Sequence, residues 1–408
     1  MISSSMFKNT FLFLVSAWLF MLNFNILANN NSLSKGKIET KIIVGAENFD
    51  AYIYLLNGKN IGILTNQTGA VRSNLDNDNY DLSIVDCLLN QGIKIKKIYA
   101  PEHGFRGTAD AGELIKDGKD VKTGLPIISL YGNSKKPSEK QLEGIDIMLF
   151  DLQDVGARFY TYISSLHYLM EACAEQNIPV IVLDRPNPNI NIIDGPTLKK
   201  ENTSFVGMHE IPAMHGMTIG EYAKMINGEK WLKNGIQCKL TVVPNLNYNR
   251  ASHYSLPIPP SPNLPNDKSV NLYASLCFFE GTNVSSGRGT DLQFQVYGSP
   301  YLTNMPFSFT PQPNAGAKDP MNKGKLCYGE NLSTQEDVEK LEIKWLLKAY
   351  KNSSNKEKFF NNFFIKLAGT PELKAQILAN KSEKEIRKSW VEGISDFKTL
   401  RKPYLIYN

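Results

Sequence analysis

The sequence predicts two lobes: a Rossmann-like, doubly wound α/β domain with a mostly parallel sheet, then a smaller mixed α+β domain. Three observations carry this. Between Lys41 and about Pro196, short and continuously apolar runs alternate with helical patterns, as a parallel sheet covered on both faces requires. The residues that end those runs are polar and of catalytic type, and ligands of open α/β sheets bind outside the carboxyl ends of the strands. Beyond residue 196 the alternation stops, and loops rich in Pro, Ser, Asn and Gly take over.

Each element follows from its pattern. Asn60–Thr65 reads as the first strand, and a helix follows around Leu82–Gln91. Ile95–Ala100, Pro126–Leu130 and Ile145–Asp151 are the next three strands. A long helix spans about Tyr160–Gln176, because Ile163, Leu166, Leu169, Met170 and Cys173 recur on one side. Pro179–Asp184 closes the series. In the second half, Thr218-Ile-Gly-Glu221 is a capping box opening a helix to about Trp231, and Ile236–Val243 reads as a strand. The last 75 or so residues are largely helical in pattern, with capping boxes at Ser333–Glu336 and Ser382–Glu385. The domains are therefore expected at 41–196 and 197–408.

Composition removes several function classes. The 408 residues are 42% hydrophobic and 21% charged, an ordinary globular balance. A formal net charge of +5, with no Lys/Arg block, gives nucleic-acid binding no footprint. Five scattered cysteines form no CxxC or Cys/His ladder, so neither a disulfide scaffold nor a structural zinc is indicated. Lys8, the apolar run Phe11–Leu22 and the end at Ile26-Leu27-Ala28 have the layout of a secretory signal over residues 1–28. That run of about a dozen apolar residues is short for a spanning helix, which needs roughly 20. The expectation is an exported protein, periplasmic or secreted, with no stable membrane span after signal removal.

The strand ends supply the candidate site. They read Thr65-Asn66-Gln67-Thr68-Gly69, Pro101-Glu102-His103-Gly104, Asp151-Leu-Gln-Asp154 and Asp184-Arg185-Pro186-Asn187. Glu102 follows an apolar strand and is trailed by glycines, which let a ligand approach the backbone. Its carboxyl is placed to act as a general acid, or to pair with Arg106 across a turn. His103 orients or protonates a group, or is structural. Asp154 is a site carboxylate held by Arg158, or the acid at a helix N-terminus. Asp151 ends a buried strand, where an unpaired carboxylate is expensive. In the second half, the stretch from Glu280 to Asp291 contains Asn283, Arg288 and Asp291, side chains suited to sugar hydroxyls and carboxylates, with Arg288 between glycines. No P-loop, dinucleotide fingerprint, HExxH or G-x-S-x-G spacing occurs, so no cofactor and no metal is expected.

These strings together resemble a family. Thr65–Gly69, Ala100-Pro-Glu-His-Gly-Phe-Arg-Gly107, the twelve residues Asp151–Tyr162, Leu183–Pro188, His215-Gly-Met-Thr218, Pro260–Pro265, Phe279–Val284, Gly287–Asp291, Leu367–Thr370 and Ile386–Trp390 are similar, in order, to motifs of the exo-β-N-acetylmuramidase (NamZ-type) glycoside hydrolases. The resemblance runs from about residue 41 to the C-terminus. It implies a hydrolase releasing N-acetylmuramic acid from the non-reducing ends of peptidoglycan fragments such as MurNAc-GlcNAc, with the site in a cleft between the two domains. The family's motif glutamate falls on Glu102. It implies no single partner carboxylate; Asp154, Asp151 and Asp184 are candidates. Asn66, Gln67, Asp151, Arg158, Asp184, Arg185, His215, Asn283, Arg288 and Asp291 are carried as substrate-binding positions, with Arg288 or Arg158 expected to read the lactyl carboxylate. One departure is local: Ala213-Met214 stand before His215, where some members carry Arg. Two alternatives remain, a sugar-binding module without catalysis and a metal-dependent wall amidase.

Overall fold

The computed structural model describes residues 41–408 apart from Asn77, His103, 106–116 and Asn133. The expected signal segment, His103 and Arg106 lie outside the described residues. Seven strands make the central sheet: β1 (Ile61–Thr65), β2 (Ile95–Ala100), β3 (Gly118–Lys119), β4 (Pro126–Ser129), β5 (Ile147–Asp151), β6 (Val180–Leu183) and β7 (Leu240–Val243). They lie in the order β7-β6-β5-β1-β2-β4-β3. Every neighbouring pair is parallel except β3 with β4. The chain builds from β1 through β2 to β4, then returns to the other side of β1 for β5, β6 and β7. Strand order reverses between β1 and β5, where a doubly wound sheet opens its crevice.

The apolar runs become strands because both faces of the sheet are covered. Leu64, Met148, Phe150, Val180 and Val182 pack into one layer. Ile63, Ile147, Leu149, Ile181 and Leu183, alternating with them, pack into the other. The second layer takes helix α1 (Ile84–Asn90), started where Ser83 Oγ accepts from Val85 N at 3.3 Å. The first takes α2 (Tyr162–Glu175), whose predicted apolar face is buried throughout. Helix α3 (Ile219–Gly228) opens on the predicted capping box: Thr218 Oγ1 accepts from Glu221 N at 3.2 Å, and Glu221 Oε2 from Thr218 N at 3.1 Å. Burying each such Leu, Ile or Phe contributes about 1.5–3 kcal/mol.

The remainder packs on as a smaller α+β lobe. It has helix α4 (Asp267–Leu276), a three-stranded antiparallel sheet of β8 (Val296–Ser299), β9 (Phe307–Phe309) and β10 (Cys327–Asn331) in the order β8-β10-β9, and a helical tail. β7 comes from beyond residue 196, where the boundary was expected, and still pairs with β6 in the first sheet. Residues 42–408 form one compact unit. The capping box expected at Ser333–Glu336 opens no helix; the chain turns there, and Val338 N donates to Asn271 Oδ1 at 2.8 Å on α4. The next helix, α5 (Lys344–Asn352), starts later, while the Ser382–Glu385 box forms as read. All five cysteines are buried and free.

Candidate active site

Glu102 is thrown out of the sheet by a turn. Pro101 ends the strand, Gly104 N donates back to Pro101 O at 3.1 Å, and Gly104 sits at φ +74°, where glycine is favoured. Leu130 N donates to Ala100 O at 2.8 Å, so the residue after β4 lies beside the residue after β2. That register brings Tyr131 to Glu102: the Tyr131 hydroxyl donates to Oε1 at 2.9 Å. Thr161, the N-cap of α2, donates its hydroxyl to Oε2 at 3.1 Å. Among the described residues, each carboxylate oxygen thus receives a neutral hydroxyl.

Glu102 lines a cavity of about 410 Å³. Tyr131 and Thr161 flank it, and Phe159, Tyr160, Tyr162, Tyr273 and Phe294 supply aromatic wall. The rings brace one another edge-on: Tyr160 and Tyr273 at 88°, Phe159 and Tyr273 at 69°, Tyr273 and Phe294 at 68°. The Pro-rich loop closes one side with Ser261, Asn263 and Leu264. It is clamped to the sheet rim, because Tyr160 donates to Pro260 O at 2.7 Å and Gln67 Nε2 to Pro259 O at 3.2 Å. The smaller lobe contributes Glu280, Ser285, Ser286 and Arg288. Arg288 pairs with Glu280 through Nε at 2.9 Å and Nη2 at 2.7 Å.

Most other predicted positions lie off this cavity, each for a visible reason. Asp151 and Arg185 neutralise one another at 2.6 and 2.9 Å, and both are buried. Asp184 accepts from Arg185 N, Gly220 N, Thr218 Oγ1 and Tyr407 OH, tying β6 to α3 and the C-terminus. Burial pushes its carboxyl up to about 7 against those hydrogen bonds. Asp154 is buried, accepts from Gly156 N at 2.8 Å, and has His215 Nε2 at 3.4 Å; it does not face Glu102 across the cavity. The expected Asp154–Arg158 pair does not form. Arg158 is fully buried and donates to the carbonyls of Pro196, Ile211 and Leu367, and burial pulls its guanidinium down to about 9. It is sealed from any ligand.

Asn66 reaches the site only through Tyr162. Its Nδ2 donates to the Tyr162 hydroxyl at 2.6 Å, which lies 3.5 Å from Glu102 O. Burial, then the nearby Glu102 charge, push that phenol up, so it stays a donor. Gln67 holds the Pro-rich loop. Asn283 Nδ2 donates to Lys358 O at 3.2 Å, and Asp291 is exposed; neither lines the cavity. Among the described residues, Glu102 and Arg288 are the two predicted positions that line this cavity. Tyr131, Thr161 and Glu280 were missed as site residues. Glu280 opens the Gly-rich stretch 280–291, and Thr161 lies within the Asp151–Tyr162 motif, but no local signal marks Tyr131. Among the described residues no group of three or more His, Cys, Asp or Glu is arranged to hold a metal.

Two family models match the chain. That of the exo-β-N-acetylmuramidase NamZ N-terminal domain covers residues 61–268, and that of its C-terminal domain covers 271–407. A relative from Bacillus subtilis (strain 168), the peptidoglycan β-N-acetylmuramidase NamZ, is 37% identical over 409 residues, covering 93% of this chain and 94% of the relative. A crystal structure of a DUF1343 family protein from Bacteroides fragilis NCTC 9343 superposes with a TM-score of 0.83 at 45% identity, over 90% of this chain and 99% of that one. A second DUF1343 structure from the same organism gives 0.74 at 29% identity, with the same coverage.

Proposed function

The chain belongs to the exo-β-N-acetylmuramidase NamZ family, and from that premise we propose how its own residues carry the reaction. It is a glycoside hydrolase acting on peptidoglycan, releasing N-acetylmuramic acid from non-reducing glycan ends. The observation that carries the site assignment is Glu102, set on the cavity wall with a hydroxyl on each oxygen.

Glycoside cleavage needs a proton delivered to the leaving oxygen as the bond breaks. Glu102 is the donor in this reading. As its proton leaves, negative charge grows on the carboxylate, and the Tyr131 and Thr161 hydroxyls already point at both oxygens. Donors fixed in advance toward developing charge stabilise the transition state without reorganising. Tyr162, anchored by Asn66, holds the main chain of Glu102 from behind. The aromatic wall packs on the sugar. Arg288 reads the lactyl carboxylate that distinguishes muramic acid from glucosamine, since a guanidinium fork suits a carboxylate.

Product identity tests the reading. Wild-type protein incubated with N-acetylmuramyl-β-1,4-N-acetylglucosamine is expected to release free N-acetylmuramic acid, with or without chelator. Release of peptide from muropeptides, abolished by chelator, would replace it with a metal-dependent amidase. Export is also proposed, from the signal-like layout of residues 1–28. No helix among the described residues is long and apolar enough to cross a membrane. Expression of the full chain, fractionation and N-terminal sequencing test it; an uncut N-terminus in the cytoplasmic fraction would refute it.

A further inference from the structure

Glu280 is the second carboxylate among the described residues lining the cavity, and the mechanism above leaves it unused. We infer that Glu280 and Arg288 form one specificity subsite for the muramyl ring: Arg288 takes the lactyl carboxylate at C3, and Glu280 accepts the acetamido N–H at C2. This rests on the muramidase reading of the same cavity.

Comparison with two sealed arginine–carboxylate pairs among the described residues separates this pair from a core ion pair. Glu47–Arg72 and Asp151–Arg185 are both sealed, with side chains 0–2% exposed. In each, the guanidinium engages both carboxylate oxygens. Glu280 and Arg288 differ on both counts. Their side chains are 25% and 26% exposed on the cavity wall. Nε and Nη2 both fall on Oε1, which leaves Oε2 and Nη1 outside the pair. The pair therefore offers the cavity one anionic acceptor next to one cationic donor edge. An N-acetylmuramyl ring carries the complement on adjacent carbons, an amide N–H at C2 and a carboxylate on the C3 ether.

The pair is also rigidly mounted. Arg288 stands between Gly287 at φ +82° and Gly289 at φ +79°, and its guanidinium lies 5.5 Å from the Phe294 ring centroid. Glu280 lies in a short 3-10 turn, Cys277–Gly281, whose backbone is fixed from behind: Asn361 Nδ2 donates to Glu280 O at 3.2 Å, and Asn361 N to Gly281 O at 2.9 Å. A preformed acceptor and donor lose little freedom when the sugar arrives.

The test uses three free sugars as probes, so it does not depend on turnover: N-acetylmuramic acid, N-acetylglucosamine (no lactyl group) and 3-O-lactylglucose (no acetamide). Calorimetric titration of wild type is expected to show N-acetylmuramic acid bound about 10-fold or more tighter than either truncated sugar, the scale of one hydrogen bond to a charged group. Glu280→Ala should erase the preference over 3-O-lactylglucose and keep the preference over N-acetylglucosamine. Arg288→Gln should do the reverse. Glu280→Gln, which keeps size and shape, should be intermediate, and thermal melts confirm that each variant folds. If both substitutions erase both preferences equally, the pair is only structural; if neither changes a preference, or wild type shows none, the subsite is wrong. Cleavage of the disaccharide by wild type is read separately: cleavage with no preference fails the subsite alone, whereas intact preferences without cleavage fail the hydrolase reading alone.

Discussion

Gly289→Ala moves Arg288 without touching it. The backbone at Gly289 has φ +79°, and a Cβ built there would lie 2.6 Å from Gln312 O and 2.6 Å from Pro320 Cγ. Reaching the 3.4 Å of ordinary contact needs a displacement of about 0.8 Å, and Gly289 O is itself held by Gln312 N at 2.8 Å. The left-handed conformation costs an alanine about 1–2 kcal/mol, and the overpacking about 1–3 more. Unfolding entropy near 2.1 cal/mol/K per residue, over roughly 370 residues, converts a total of about 2–5 kcal/mol into a Tm lower by about 3–6 °C. A misplacement approaching 1 Å costs up to about 100-fold in function. The KM for muramyl disaccharide should therefore rise about 10- to 100-fold, more than kcat falls, because Glu102 is mounted on the other lobe. Gly324→Ala is the control: φ is +70°, and nothing lies within 4 Å of its Cβ, so it carries the backbone strain alone and should leave KM unchanged. Initial rates of N-acetylmuramic acid release and scanning calorimetry read both variants. A wild-type KM for Gly289→Ala, or the same KM rise in Gly324→Ala, refutes the argument that Arg288 works from a fixed loop.

Three further outcomes follow from contacts already described. Tyr131→Phe and Thr161→Val should each lower kcat about 10-fold, the lower end for a hydrogen bond to a charged group in a half-buried site; an unchanged kcat in both would remove the hydroxyls from the mechanism. Arg158→Met strands three buried carbonyls and should cost about 3–5 kcal/mol by urea unfolding while leaving KM alone; a raised KM in folded protein would return Arg158 to the substrate. His209 shares hydrogen bonds with His167 Nδ1 at 2.9 Å and Tyr222 OH at 2.8 Å. Burial pushes both histidines below their ordinary value near 6.5, so their contribution to stability is full above that value and lost as pH falls below it. Each adds a slope of up to about 1.4 kcal/mol per pH unit. His209→Gln should flatten the acid limb of unfolding free energy between pH 6.5 and 5, and parallel limbs for mutant and wild type would contradict it.

The fold was legible wherever a strand is buried on both faces. β5 and β6, buried along their whole length, were read within two residues from their apolar runs, and Ile95–Ala100 was read to the residue although Lys96 and Lys97 interrupt it. β8 to β10 were not, because Gly298 and Gly329 and exposed positions such as Tyr328 break any apolar alternation. At the site, Glu102 and Arg288 could be found because their glycine neighbours are local signals. Asp151, Asp154 and Asp184 look alike in sequence, each an acid near a strand end. What separates them from Glu102 is burial off the cavity, each against a partner from elsewhere: Arg185 after the next strand, His215 from 61 residues on, Tyr407 at the C-terminus. Tyr131 was invisible for the complementary reason. It reaches Glu102 only because β2 and β4 are neighbours in the sheet.

The central claim is that Glu102 gives up the proton that cleaves the muramyl glycoside. The most direct measurement is turnover and binding of N-acetylmuramyl-β-1,4-N-acetylglucosamine by Glu102→Gln, which keeps the Tyr131 and Thr161 contacts in shape but has no acid proton. The account predicts that release of N-acetylmuramic acid falls at least about 100-fold, the scale of general acid catalysis, while the disaccharide still binds. Release at the wild-type rate by a folded Glu102→Gln protein would contradict it and send the search for the acid elsewhere on the cavity wall.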